Sequence, residues 1–355
     1  MIVHPGPEFS VADVHTGYME AFTSLGYRTI DYNLGDRLAF YFSALIPTGK
    51  VDDDGRPQLR RAWDKREDAI GLAVNGIGST FLQFWPQLVI VISSFFITPR
   101  MIAVMRDRGA KVVVVHTECP YEDERQLKVA QYADLNLLND NVTITKYQRL
   151  GVPAYYMPHA YRPKLHYPGP GDPEYASDFC FIGTAYPSRW EFFTRMYKAG
   201  AFDGIEPLLA GNWGHNDPDD PGAALLDYVA HDPSECFDNE QAAMCYRAGK
   251  TSLNLYRREA QEGCLDQGGW SMGPREVEMA ACGMFFLRDP RGESNAVLPM
   301  LPTFSTPEEA AEQLQWWVHH DAEREEAAMA ARAAVRGRTF ESNAKALLGM
   351  LERHA

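Results

Sequence analysis

At 355 residues, 45% of them apolar and 23% charged, the chain has room for two domains of ordinary size and a normal globular balance. A formal net charge of −14, with no lysine/arginine-rich block, argues against nucleic-acid binding. Six cysteines without a C-x-x-C or regular spacing read as reduced core thiols of a cytoplasmic protein; neither a signal peptide nor a transmembrane segment is expected.

The N-terminal half alternates short strands with helices. Residues 1–3 read as a strand, and Ser10 is expected to cap a helix over 11–25 that Gly26 ends. A second strand at 27–32 completes a strand–loop–helix–strand unit, the opening of a doubly wound α/β domain. A helix of mixed polarity follows at 38–45. Residues 51–61, rich in aspartate, arginine and glycine, read as an exposed loop, and 67–84 as a helix weakened by Gly71, Gly76 and Gly78. The runs LVIVI (88–92) and KVVVVH (111–116) are typical of parallel strands covered on both faces, with a helix between Pro99 and Gly109. A strand at 133–138, a helix at 142–150 and a strand at 154–157 complete one Rossmann-like domain. The segment PGPGDP (168–173) reads as a linker, so the expected division is 1–167, a linker at 168–177, a second domain at 178–335 and a last helical segment at 336–355.

The second half repeats the pattern. A strand at 178–183 ends in Gly183, and a turn at 184–188 leads into a helix at 189–198. Glycine at a strand's carboxyl end lets a ligand approach the backbone, and a helix N-terminus offers N–H groups, together a candidate diphosphate cradle. After a strand at 207–210 and a helix at 241–247 capped near Asp238, a strand at 251–256 carries Arg257 at its carboxyl end, where ligands of open α/β sheets bind. Arginine matches phosphate oxygens in a bidentate fork. Arg258 is a near-equivalent competitor, and the bland alternative is a surface Arg257 paired with Glu259. In WSMGPREVEMAACGMFFLRD (270–289), Pro274 suits a first helical position, Val277, Ala280 and Ala281 make a narrow packing face, and Gly283 stops the helix before a buried strand at 284–287. Glu278 lies off that face, where its carboxylate can accept two hydrogen bonds from a vicinal diol such as a ribose; a solvated helix glutamate is the plain alternative. From residue 307 alanine, glutamate and arginine dominate, with helices expected at 308–318, 323–335 and 340–353.

The stretch E-M-A-A-C-G (278–283) resembles the E-A-M-A-C-G signature of group 1 (family 4-like) glycosyltransferases. The wider P-R-E-V-E-M-A-A-C-G-M-F-F-L is similar to the CgeB-like branch, named for a spore-coat glycosyltransferase. H-T-E-C-P-Y-E-D from His116, M-P-H-A-Y-R-P-K-L-H-Y-P from Met157, F-I-G-T-A-Y-P-S-R (181–189) and A-x-x-Y-R-A-G-K-T-S-L-N-L-Y-R (243–257) resemble the same group. The likeness runs in patches from 10 to 290 and is most specific over 243–287.

It implies an α/β fold of the GT-B type, two Rossmann-like domains with parallel sheets facing across a cleft, acceptor on the first and nucleotide-sugar on the second. By analogy the last helix crosses back to the first domain. The implied activity is a hexosyltransferase type of glycosyltransferase, moving a sugar from a UDP- or GDP-sugar to a hydroxyl of a protein or glycan, with retention and without metal or other cofactor. The implied donor site comprises Gly183, Thr184, Arg189, Asn254, Arg257, Arg275 and Glu278, with Glu278 on the ribose and Arg257 on the leaving diphosphate. Group 1 has a second glutamate eight positions before the first; here that position is Trp270, and Gln267–Gly269 and Arg275 are the candidates to replace it. Glu276 is not, since residues two apart on a helix point to nearly opposite sides. The fragment F-S-V-A-D-V and the family's occurrence in bacteriophages suggest a phage or bacterial protein-modifying enzyme.

For acceptor binding or proton abstraction the candidates are His15 and Asp13 on the first helix, His116 and Glu118 at a strand end and, after these, His159, since imidazole titrates near neutral pH. Solvent-facing helix positions are the plain alternative for the first pair. No H-x-x-x-H, H-E-x-x-H or Cys/His cluster suggests zinc; G-x-S-x-G, the P-loop and an early G-x-G-x-x-G are also missing. Two rival functions remain, a nucleotide-sugar epimerase of the same fold and a non-catalytic nucleotide- or glycan-binding protein.

Overall fold

From the N-terminus, β1 (Ile2–Val3) leads into α1 (Phe9–Ser24). Ser10 therefore lies inside the first turn and not at the cap, while Gly26, at φ +83°, follows the end as expected. The computed structural model describes residues 1–6, 9–63, 65–214, 219–232, 236–260, 263–264 and 269–353. Its contacts divide the chain into two units, Met1–Met157 and Pro158–Ala355.

In the first unit, β2 (Asp31–Tyr32) is shorter than expected, and α2 (Leu34–Ser43) starts earlier because the Asn33 side chain accepts from the Asp36 N–H and caps it. The expected loop at 51–61 is instead part of an antiparallel hairpin, β3 (Leu45–Val51) and β4 (Pro57–Arg61), exposed along its whole length. Charged and apolar residues mixed without a covered face concealed it from a pattern search. Next, α3 (Arg66–Phe84) absorbs its three glycines, and Gly76 has a clear reason. The Tyr32 hydroxyl donates to the Ala73 carbonyl across the helix, and a methyl group at Gly76 would overlap that hydroxyl.

The remainder alternates regularly through β5 (Leu88–Ile92), α4 (Pro99–Asp107), β6 (Lys111–Val115), α5 (Asp123–Ala130), β7 (Leu135–Leu138), α6 (Asn141–Arg149) and β8 (Ala154–Tyr156). Of these only α5 has no counterpart in the sequence reading; it is strongly polar and buries little beyond Gln126, Val129 and Ala130. The strands form one parallel sheet in the order β2-β1-β5-β6-β7-β8. The valine and isoleucine runs of β5 and β6 occupy its centre and are buried on both faces, as continuous apolar strands should be.

The second unit contains β9 (Ser177–Ile182), α7 (Pro187–Lys198), β10 (Pro207–Ala210), α8 (Asn239–Ala248), β11 (Gly249–Asn254) and a minimal hairpin, β12 (Glu259–Ala260) with β13 (Gly263–Cys264). Then follow α9 (Pro274–Cys282), β14 (Phe285–Arg288), α10 (Gly292–Val297), α11 (Pro307–Val318), α12 (Asp321–Val335) and α13 (Phe340–Arg353). A four-stranded parallel sheet, β10-β9-β11-β14, is packed around Phe179, Phe193, Trp213, Phe285 and Phe286. Pro187 opens α7 two residues earlier than expected, Asp238 caps α8, and Gly283 ends α9 at φ +80°. Strand β11 stops at Asn254, so Arg257 sits on the loop beyond it. Among the described residues no helix is long and apolar enough to cross a membrane.

Candidate functional site

The carboxyl ends of β9, β11 and β14 converge in the second unit. Register pairs Ser252 with Cys180, and its continuation brings Asn254 level with the end of β9, next to Gly183. Gly183 donates to the Ala210 carbonyl at 2.8 Å, and Gly211, at φ +110°, lies so close that a methyl group there would overlap the Gly183 carbonyl. Arg189 is buried and spans this junction, donating through Nε to Leu255 O at 3.0 Å and through Nη1 to Thr184 O at 3.1 Å. It is a bracket between the β9 loop and the β11 end.

The expected diphosphate cradle differs in one respect. The amides of Gly183, Ala185 and Tyr186 donate to the carbonyls of Ala210, Asn212 and Thr184. The start of α7 is already occupied by an anion: Glu259 accepts from the Ser188 N–H at 2.8 Å and from its hydroxyl at 3.0 Å. Although burial pushes that carboxyl up, these hydrogen bonds and the Arg258 amide hold it below the usual range. Residue 259 approaches α7 only through the fold, so a local reading of 183–189 could not detect it.

Three consecutive charged residues therefore point three ways. Arg257 lies against the Tyr186 ring, 5.7 Å from its centroid. Arg258 bridges to Asp289 at 2.8 Å, and Glu259 caps α7. Burial raises the Asp289 carboxyl, against the pull of Arg258 and Arg291. Asn254 is buried, and its Nδ2 has no hydrogen-bond partner. A cavity of about 440 Å³ beside these strands is lined by Ser188, Arg195, Tyr256, Arg258, Asp289 and Phe304 among others, but by none of the seven expected donor residues.

Helix α9 begins against the same strand end. Gly273 packs on Tyr256 and Asn254, close enough that an added methyl would touch the Tyr256 ring at 3.3 Å. The segment before it is held residue by residue: Trp270 O accepts from Glu293 N–H at 2.9 Å, Ser271 O from Arg291, Met272 N–H donates to Glu293 Oε2 at 2.8 Å, and Gly273 N–H donates to Glu276 Oε2 at 2.8 Å. Glu293 also bridges to Arg338 at 2.7 Å and is itself buried. The Trp270 indole fits only because Gly292 has no side chain. Further along α9, Arg275 and Glu278 are both partly buried and both act electrostatically on Tyr246 of α8, so they share that side of the helix.

Glu276 is the residue that sequence reasoning passed over. It is fully buried, and Oε2 also accepts from the Tyr256 hydroxyl, over whose ring Arg291 lies at 3.5 Å. Burial raises its carboxyl to about 7, though Tyr256, the Gly273 amide, Arg288 and Arg291 all pull it down. The available signal was G-P-R-E, a helix start with glutamate at the third position.

The candidates of the first unit stand on two elements, α1 and the end of β6. Asp13 and His15 are both buried, which corrects the solvent-facing alternative. His15 Nε2 is 2.9 Å from Asp31 Oδ1 at the start of β2, and its ring meets His4 edge-on. His116 is buried at the end of β6, with Nε2 2.9 Å from Asn136 Oδ1 and Nδ1 lacking a partner. Asn136 spends its Nδ2 on two backbone carbonyls, so Oδ1 accepts and His116 carries its proton on Nε2. Burial lowers this histidine to about 4, which keeps it neutral at pH 7. Glu118 is partly buried, its amide donating to Gln126. Gln267 and Gly268 lie outside the described residues.

Residues 191–349 match the family model described as Glycosyl transferase-like. No curated protein sequence matches the chain. Solved structures align over nearly its whole length. Sucrose-phosphate synthase from Thermosynechococcus elongatus gives a TM-score of 0.65 at 14% identity, covering 99% of this chain and 98% of that one. The trehalose-6-phosphate structure from E. coli bound with UDP-2-fluoro glucose gives 0.63 at 11%, with coverage of 99% and 98%. An alpha,alpha-trehalose-phosphate synthase (UDP-forming) from Burkholderia vietnamiensis gives 0.64 at 11%, covering 99% of each.

The fold is GT-B. At identities this low the likeness concerns architecture alone, and a GT-B scaffold hosts chemistry only through its side chains. Within the GT-B chain, Gly183, Thr184, Arg189, Asn254 and Arg257 come together at the β9 and β11 ends, while Arg275 and Glu278 share α9, whose first residues abut Asn254 and Tyr256.

Proposed function

We propose that this chain is a glycosyltransferase that uses a nucleoside-diphosphate-sugar, with Asn254, Arg257, Arg275 and Glu278 on the donor and a protein or glycan hydroxyl as acceptor. The observation that carries the reading is the buried, unpartnered Asn254 Nδ2 at the carboxyl end of a parallel strand, one loop away from Arg257. A buried amide N–H₂ without a partner costs about 1–3 kcal/mol, and an anionic ligand at that strand end would repay it. Because the α7 start is already capped by Glu259, phosphate charge falls chiefly to Arg257 and Asn254.

In the transfer, the bond from the sugar's anomeric carbon to the diphosphate oxygen breaks and its electron pair leaves with the nucleoside diphosphate. The acceptor oxygen forms the new bond to the anomeric carbon and passes its proton to the departing diphosphate oxygen. Arg257 stabilises the charge that grows on the leaving group, the place where a fixed cation contributes most. Retention of anomeric configuration, independence of divalent metal and membership of the CgeB-like branch belong to the proposal. Proton NMR of the first product tests retention, and turnover after exhaustive chelation tests the metal.

Glu278→Gln weakens charge-assisted hydrogen bonds worth roughly 1.5–3 kcal/mol each, so donor and free nucleoside should both bind at least about tenfold more weakly. Arg257→Ala should cost mainly turnover and leave nucleoside binding unchanged, since a nucleoside has no phosphate. Parent-like binding of nucleoside and donor by both variants would place the donor site elsewhere. Interconversion of free nucleotide-sugars without acceptor would replace the transferase with an epimerase.

A further inference from the structure

The β3–β4 hairpin is the least explained element of the molecule. Each of its strand residues is exposed, so neither face is covered, and among the described residues the two strands pair only with each other. A lone two-stranded hairpin is marginally stable in water. This one also presents Leu45, Val51 and Leu59, each more than half exposed. At its base Phe40 (62% exposed), Tyr41 and Trp63 continue the apolar surface, ring against ring at 5.4 and 6.1 Å. Scattered apolar side chains need no explanation, but a connected run on a protruding two-sided arm marks a contact surface.

Charge along the arm identifies the partner. Asp52, Asp53 and Asp54 form the tip, flanked by Lys50 and Arg56. Asp52 Oδ1 accepts from the amides of 54 and 56 and shapes the turn, and Arg56 pairs with Asp54 at 3.7 Å, so the tip keeps a net negative charge centred on Asp53. Arg60 and Arg61 stand at the base, where register pairs them with Ile46 and Leu45. Tip and base lie about 17 Å apart, the span of five strand residues. Two copies laid side by side and antiparallel about a two-fold axis place each acidic tip against the other copy's basic base, with Leu45, Val51 and Leu59 between them. Pro47 and Pro57 each remove a backbone donor, which keeps any strand pairing short and leaves specificity to the side chains.

We propose that this hairpin is a self-association arm, whose partner is the same hairpin of a second copy of this chain in an isologous pair. The inference concerns the first unit only and does not depend on the donor site.

The test uses the full chain and charge reversal in sedimentation velocity. The parent should be dimeric at micromolar concentration and dissociate at higher salt, as screening predicts. One variant combines Asp53→Lys and Asp54→Lys and leaves Asp52, which shapes the turn, in place; the other combines Arg60→Glu and Arg61→Glu. Each alone sets like charges together and should weaken association at least tenfold. Mixed together they should form heterodimers, because the lysine tip of one meets the glutamate base of the other and the unmodified pair stays matched. All these positions are exposed, and circular dichroism checks that both variants fold. A monomeric parent at 100-fold higher concentration, dimers that survive both reversals, or failure of the mixture to associate would each overturn the proposal.

Discussion

Replacing Glu276 with glutamine isolates the buried carboxyl that ties α9 to the end of β11. In the folded chain burial moves this group from 4.5 to about 7, whereas in the unfolded chain it titrates near its ordinary value. A carboxyl raised on folding holds its proton more tightly in the fold. The resulting stabilisation is complete below about pH 4.5 and is lost as pH rises through about 7; the difference corresponds to about 3 kcal/mol. Glutamine keeps an acceptor oxygen for the Gly273 amide and the Tyr256 hydroxyl but cannot ionise. The two proteins should therefore have similar stability at pH 5, and the variant should gain steadily on the parent toward pH 8, by at most about 3 kcal/mol. Urea unfolding followed by tryptophan fluorescence at pH 5, 6, 7 and 8 measures this directly. Identical pH slopes would mean that Glu276 does not ionise within that range, and a parent that gains on the variant would mean its charged form is the favoured one. Either result would refute the reasoning.

Further outcomes follow from single contacts. Gly211→Ala combines a left-handed backbone with overlap on the Gly183 carbonyl, so unfolding free energy should drop by about 2 kcal/mol or more, read by chemical denaturation. Arg189→Ala strips the donors from Leu255 O and Thr184 O, and amide exchange should accelerate in residues 183–188 before the sheet as a whole opens. Tyr32→Phe removes the hydroxyl that fills the space over Gly76. Gly76→Ala should then be better tolerated in that background than in the parent, a coupling that a double-mutant thermal-shift cycle detects.

The strands β5, β6, β9 and β14 were legible in the sequence because a strand buried on both faces must be continuously apolar. The helices α4, α8 and α9 were legible because their ends carry proline, aspartate or glycine in positions with local meaning. The β3–β4 hairpin was not, since neither face is buried and no alternation is imposed on it. The same limit applied within the candidate site. Glu278 and Arg257 could be singled out from their neighbours in the chain, but the function of Glu276 depends on Tyr256 and Arg291, and the α7 cap depends on a glutamate seventy-one positions later. The burial of His15 was not legible because the side chains that meet it, His4 and Asp31, stand on other elements than α1.

The run 257–259 has a consequence of another kind. Three neighbouring side chains are sent to an aromatic ring, a carboxylate and a helix start, so their destinations are set by position along the chain as much as by chemical identity. One alanine inserted after Tyr256 would move each charge one address along, bringing the Arg258 guanidinium to the partly positive start of α7 and carrying the Glu259 carboxylate off that helix start. Such an insertion should disturb the strand ends more than any single substitution among the three. Homologous loops here are thus expected to tolerate changes of residue more readily than changes of length.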